Sequence, residues 1–89
     1  MRKKTIMVAD VLNALYKSHE GLRVTHLMRK SNIPYNRIMP IIRELEASGF
    51  MVHTDENGKI IYHITYEGVW HMNLLYKSNS GLQEVVNIF

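Results

Sequence analysis

Cysteine is missing from this sequence of 89 residues, which rules out disulfide staples and thiolate metal sites. Long apolar runs are missing too. None approaches the ~18 residues that a membrane helix needs, so neither a spanning segment nor a membrane partner is expected, while the lack of cysteine leaves the compartment undecided. The chemistry-bearing patterns of enzymes are also missing. There is no Gly-rich phosphate cradle and no nucleophile elbow. The five histidines include no His-x-x-x-His pair and have no acid at ligand spacing. His26 and His71 lie far apart in sequence, and His53 and His63 are expected on the outer face of a hairpin. They read as surface imidazoles, so no metal, no cofactor and no catalytic residue are expected.

What is present fits one globular domain. The hydrophobic share of 46% is ordinary, and a chain this short holds a single core. The N-terminus, MRKKTIMVADVL, starts basic and turns apolar. Asp10 interrupts the apolar stretch, so it reads as an amphipathic helix with a basic arm rather than a signal peptide. The net charge of +3 is unevenly spread. Residues 1–43 carry nine Lys/Arg against two acids, leaving +7, whereas residues 44–89 carry two against six, leaving −4. One strongly basic half points to a polyanionic partner on one face.

Along the chain, apolar residues from Ile6 to Tyr16 recur at three- and four-residue spacing, predicting a helix over 5–17. After a turn at 18–21, Leu22-Arg23-Val24 alternates as a very short strand would. Thr25 is the expected N-cap of a helix over 26–31. Ser31-Asn32 breaks that helix, Ile33 plugs the turn into the core, and Pro34 suits the first turn of a new helix. That helix, 35–48, buries Ile38, Ile41, Ile42 and Leu45 and presents Asn36, Arg37 and Arg43 to solvent. This is the layout of a helix-turn-helix DNA reader. Pro40 sits inside it and removes the bond to the carbonyl of Asn36, so a kink toward the core side is expected, with the ring left exposed. Gly49 marks the helix end.

Two strands, 50–54 and 59–65, form a hairpin around Asp55-Glu56-Asn57-Gly58. A two-residue Asn57-Gly58 loop would place Val52 opposite His63 and mix apolar with polar residues on one face. A three-residue loop pairing Asp55 with Lys59 puts Phe50, Val52, Ile60, Tyr62 and Ile64 on one face, and this register is expected because a one-residue slip flips every side chain. Thr65 caps a last helix over 66–77. Its apolar residues form two faces, Tyr66/Trp70/Leu74 and Val69/Met72/Tyr76 with Leu75 beside it. One face can pack on the domain and the other on a second copy. Ser78-Asn79-Ser80-Gly81 interrupts the pattern, and Leu82–Phe89 is apolar enough that it is expected to dock. The division is then 1–77 as the domain and 78–89 as a docked apolar segment.

The order helix, short strand, helix-turn-helix, hairpin, helix resembles the winged helix, specifically small archaeal winged-helix regulators and the ten-kilodalton chromatin-associated dimers of that group. Three stretches carry the resemblance: SNIPYNRIMPIIRELEASGFM, the wing DENGKIIYHIT, and ITYEG at the start of the last helix. The chain departs from the pattern at Pro34, where Ser or Thr is usual, and at Pro40, where Lys or Arg is common. The resemblance implies an α+β winged helix-turn-helix whose recognition helix enters the major groove, whose wing touches backbone or minor groove, and whose last helix dimerises. It implies reading positions at Tyr35, Asn36, Arg37 and Arg43, and wing contacts at Asn57 and Lys59.

The residue chemistry agrees. Arg37 and Arg43 can fork onto guanine O6/N7, and Asn36 can pair with adenine N6/N7. Arg29, Lys30, Lys3 and Lys4 suit phosphates better than bases. The dimer surface is expected to use Val69, Trp70, Met72, Leu75 and Tyr76 from the last helix, with Leu82, Val85, Val86 and Phe89 from the terminal segment. The expected function is thus a homodimeric protein that binds double-stranded DNA, as a transcription regulator or a chromatin-type binder, with a cytoplasmic, nucleoid-associated location as the matching expectation. The alternative is a winged-helix protein-interaction module, favoured by the low polarity of Met39, Pro40 and Ala47.

Overall fold

Three helices come first: α1 (Lys4–Tyr16), α2 (Val24–Ser31) and α3 (Tyr35–Ala47). A hairpin of β1 (Met51–Glu56) and β2 (Lys59–Ile64) follows, and α4 (Tyr66–Ser78) closes the fold. The structure, a computed structural model, describes residues 3–78. The class is α+β, with four helices and one two-stranded antiparallel sheet among the described residues. The expected docking of Leu82–Phe89 falls outside them.

The core is the sum of the predicted stripes. Val11, Leu12 and Leu15 of α1, Leu27 of α2, Ile38 and Ile42 of α3, and Met72 of α4 are all buried. Ile33 fills the turn between α2 and α3 at 2% exposure. Asn32 there takes a left-handed conformation, φ 57°, and the N–H of Ile33 bonds the Met28 carbonyl. Asn is one of the few residues other than Gly that adopts such a cap at modest cost. Helix α3 ends in a Schellman pattern. The N–H of Phe50 reaches the Leu45 carbonyl and the N–H of Gly49 reaches that of Glu46, so two orphan carbonyls are satisfied.

Three local expectations are corrected. First, 22–24 is not a strand. Leu22 alone bridges Tyr62, exchanging both backbone bonds at 3.0 and 2.8 Å. Arg23 is already the N-cap of α2 and Val24 its first residue. Val24 is half-buried because α2 packs on the core, not because a sheet continues. Among the described residues the sheet therefore has two strands, where three were expected. Second, Thr25 lies inside α2 rather than capping it, and the N-cap Arg23 makes no side-chain cap bond. Third, the hairpin takes the other register. Glu56 pairs with Lys59 and Asp55 with Ile60, so the loop is Asn57-Gly58 alone.

The reason for that register lies in the turn. Both loop residues have positive φ, 58° and 81°, as a type I′ turn demands and as Asn-Gly supplies most readily. The Asp55 carboxylate accepts the Gly58 N–H at 2.9 Å. The hydrophobic argument for the other register required a face buried along the whole hairpin. Only its root is buried: Met51 at 1% and Tyr62 at 8%, against 49% for Val52 and 38% for Ile60. Little apolar area opposes the slip, and the turn chemistry wins.

Helix α3 runs from Tyr35 to Ala47 through Pro40, whose ring is exposed. Thr65 ties the hairpin to α4. Its hydroxyl accepts the Gly68 N–H at 3.0 Å as the expected cap, and donates to the Gly49 carbonyl at 2.6 Å. Its own N–H bonds the Phe50 carbonyl. Thr65→Val keeps the shape and removes both hydroxyl bonds. A lost N-cap costs about 1 kcal/mol, so the melting temperature should fall by about 5 °C in a circular-dichroism melt. An unchanged midpoint would mean that the cap contributes nothing.

Candidate nucleic-acid interface

The solvent side of α3 is a narrow ridge. Asn36, Pro40, Arg43 and Ala47 fall within an arc of about 60° at 100° per residue, and all four are exposed. The opposite arc is the buried Ile38, Ile41, Ile42 and Leu45. Asn36 and Arg43 therefore stand where the sequence puts them. Arg37 does not stand fully free: it is half-buried on the flank of the helix. Tyr35 is 57% exposed at the first turn.

On one side, α3 is tied to the root of the hairpin. Glu46 Oε2 lies 2.6 Å from His53 Nδ1 of β1. His53 in turn meets the Tyr62 ring edge-on at 5.9 Å. Burial raises the Tyr62 phenol above its ordinary pKa, with Glu46 and then Tyr35 adding to the shift and Arg43 opposing it. So Tyr35, Arg43, Glu46, His53 and Tyr62 form one corner between α3 and the hairpin. His53 and His63 consequently lie on opposite faces of the hairpin, not together on the outer one. The register decides this, and the sequence held no separate sign of a Glu46–His53 contact.

On the other flank, Lys4 of α1 sits 2.7 Å from Glu44. Both side chains remain more than half exposed, so the pair adds little stability. Its consequence is local: the carboxylate next to Arg43 is matched by a cation from another helix. Lys3, the N-cap of α1, is exposed. Arg29 and Lys30 are exposed in the last turn of α2, where cations suit the helix dipole. Asn57 forms the hairpin tip, and Lys59 follows at the start of β2. Met39 and Tyr35 of α3 line a hollow with Lys59, Ile60 and Tyr62. The basic side chains are therefore distributed over α1, α2, α3 and the hairpin, and among them Lys59 shares its hollow with Tyr35 and Met39 of α3.

Two of the residues expected at a dimer surface are already used inside the chain. Met72 is fully buried and Tyr76 is 6% exposed, because this face of α4 is the one that packs on the domain. Val69, Trp70 and Leu75 are half-buried. The apolar surface that α4 does offer centres on Tyr66, 71% exposed, and Leu74, 58% exposed, with Trp70 edge-on to Tyr66. Reading the helix as two faces identified this stripe, but not which face the core would take. Leu82, Val85, Val86 and Phe89 lie outside the described residues. Among the described residues no group of three or more His, Asp and Glu is placed to hold a metal ion, and no helix is long and apolar enough to cross a membrane.

The chain matches no protein-family model and no curated relative by sequence. Among solved structures it is similar to the crystal structure of Sso10a-2, a DNA-binding protein from Sulfolobus solfataricus. The TM-score is 0.75 at 20% sequence identity, over 86% of this chain and 78% of that one. At that identity the likeness establishes a shared fold.

Proposed function

We propose that this chain is a winged-helix protein that binds double-stranded DNA, with α3 in the major groove and the hairpin as a wing against the backbone. The observation that carries the reading is the open α3 ridge: Asn36 and Arg43 are both exposed on one face of the helix, and the hairpin that follows exposes Lys59. A buried or self-covered ridge would have ended the proposal. The fold shared with a DNA-binding protein supports it, as does the excess of cations in residues 1–43. Base edges fall to Asn36 and Arg43, with Arg37 and Tyr35 at the margin. Lys3, Lys4, Arg29, Lys30, Asn57 and Lys59 take phosphates.

The same reading makes the protein a homodimer joined through the α4 stripe of Tyr66, Trp70 and Leu74. Two recognition helices then sit near one DNA turn apart, about 34 Å, in successive major grooves. A role in transcription regulation or chromatin coating, within the nucleoid, follows from this assembly. The chemistry is binding, with no catalytic step.

The test is fluorescence anisotropy on a labelled duplex across a salt series, with footprinting to locate the contacts. Affinity should fall steeply with salt, with a slope of about −0.9 per phosphate neutralised. The Lys3→Ala/Lys4→Ala variant should weaken all duplexes alike and flatten the slope by about 1 to 2. Weak, salt-insensitive retention would favour the second reading, a protein-interaction module docking through the low-polarity Met39, Pro40 and Ala47.

A further inference from the structure

The α3 ridge has a chemical order that phosphate binding does not require. The residue near its middle carries no hydrogen-bonding side chain. Pro40 is exposed, and it belongs neither to the core nor to the shell packed against it. Asn36 stands one turn before it and Arg43 one turn after, and Ala47 extends the same line. Proline in a helix interior is unfavourable: it gives up the N–H that would meet the Asn36 carbonyl, and its ring crowds that carbonyl. Packing offers no compensation here: among the described residues Pro40 is exposed and outside the core and the apolar residues packed on it. A rigid apolar knob is thus held out to solvent between two polar groups.

In the major groove of DNA, one exposed apolar feature matches such a knob. Every base pair shows hydrogen-bond donors and acceptors, and thymine alone among the four bases adds a C5-methyl group. The same methyl is carried by 5-methylcytosine. We propose that Pro40, with Ala47 beyond it, is the contact for pyrimidine C5-methyl groups, while Asn36 and Arg43 take the hydrogen-bonding edges of the neighbouring bases. The helix rise of 1.5 Å per residue sets Asn36 about 6 Å and Arg43 about 4.5 Å from Pro40 along the axis. Base pairs repeat every 3.4 Å, so the three side chains address bases one to two steps apart. The inference rests on the DNA-reading role proposed above.

The experiment compares polymers that differ by the methyl group alone. Full-length protein is titrated into poly(dA-dT) and poly(dA-dU), and into poly(dG-dC) with and without 5-methylcytosine, at one fixed salt concentration. One seated methyl is worth about fourfold in affinity. The wild-type chain should therefore prefer the thymine polymer over the uracil polymer by about that factor or more. Pro40→Ser, which restores the helix N–H and so should fold, should bind both polymers nearly equally. A matching gain on the 5-methylcytosine polymer supports a reader of the methyl itself, and a gain on thymine alone supports a thymine reader. Equal wild-type binding to both A-containing polymers, or a preference that survives in Pro40→Ser, overturns the inference while leaving DNA binding intact. Absence of binding to all four polymers removes the DNA-reading role itself, and the methyl contact with it.

Discussion

Gly68→Ala should cost this domain about 3 kcal/mol or more, a loss of roughly 15 °C in melting temperature for a chain of this size. Gly68 is buried in the first turn of α4. A Cβ built there would lie 2.0 Å from the Phe50 carbonyl oxygen and 2.8 Å from Ile64 Cγ1. The Phe50 carbonyl cannot swing away, because it accepts the Thr65 N–H at 3.1 Å, and Thr65 in turn caps α4 through Gly68. Relief of the clash requires α4 to lift from the hairpin root. That would unstack Phe50 from His71, whose rings lie parallel at 4.2 Å, and loosen Met72 from the core. Calorimetry or a circular-dichroism melt reads the result. If Gly68→Ala melts within about 2 °C of wild type, α4 does not approach the Phe50 backbone this closely.

Arg43→Lys should lose nearly as much sequence preference as Arg43→Ala, while keeping more of its general affinity. Arg43 is exposed on the α3 ridge and close enough to Tyr62 to oppose the rise in its pKa. Its guanidinium charge thus acts on the side of α3 that faces the hairpin. A guanidinium forks onto guanine O6/N7, and a good bidentate pair discriminates by about 1–3 kcal/mol. That corresponds to a loss of about 10- to 100-fold on a preferred site when the side chain is cut to Ala. Lysine preserves the charge but not the fork. It should therefore keep its phosphate-like attraction and salt slope and lose discrimination. Competition between a footprinted site and random duplex measures both quantities. Equal losses on the two duplexes for both variants would reassign Arg43 from reading bases to neutralising phosphate.

The helices were legible because each satisfies its own rules. Ile38, Ile41, Ile42 and Leu45 recur at helical spacing and are buried together, and Thr65 caps α4 from a position visible in ITYEG. The ridge of Asn36 and Arg43 follows from the same periodicity, since placing one arc in the core leaves the other outside. The errors fell where two local signals competed. Leu22-Arg23-Val24 alternates like a strand, yet a single exchange of hydrogen bonds with Tyr62 is all that the hairpin edge receives before α2 begins. In the hairpin, an apolar pattern argued for one register and Asn57-Gly58 for the other. The pattern lost because the hairpin projects beyond the core.

Sequence alone determined the α+β class, the positions of the four helices, the outward ridge on α3 and the cap at Thr65. All of these depend on neighbours within a few residues, where periodicity and turn chemistry act directly. Tertiary structure decided which face of α4 the core takes, how Glu46 and His53 meet, and that Lys4 reaches Glu44 across 40 positions of chain. Those outcomes depend on the hairpin register and on helix packing, and neither leaves a mark in the spacing of residues along the chain.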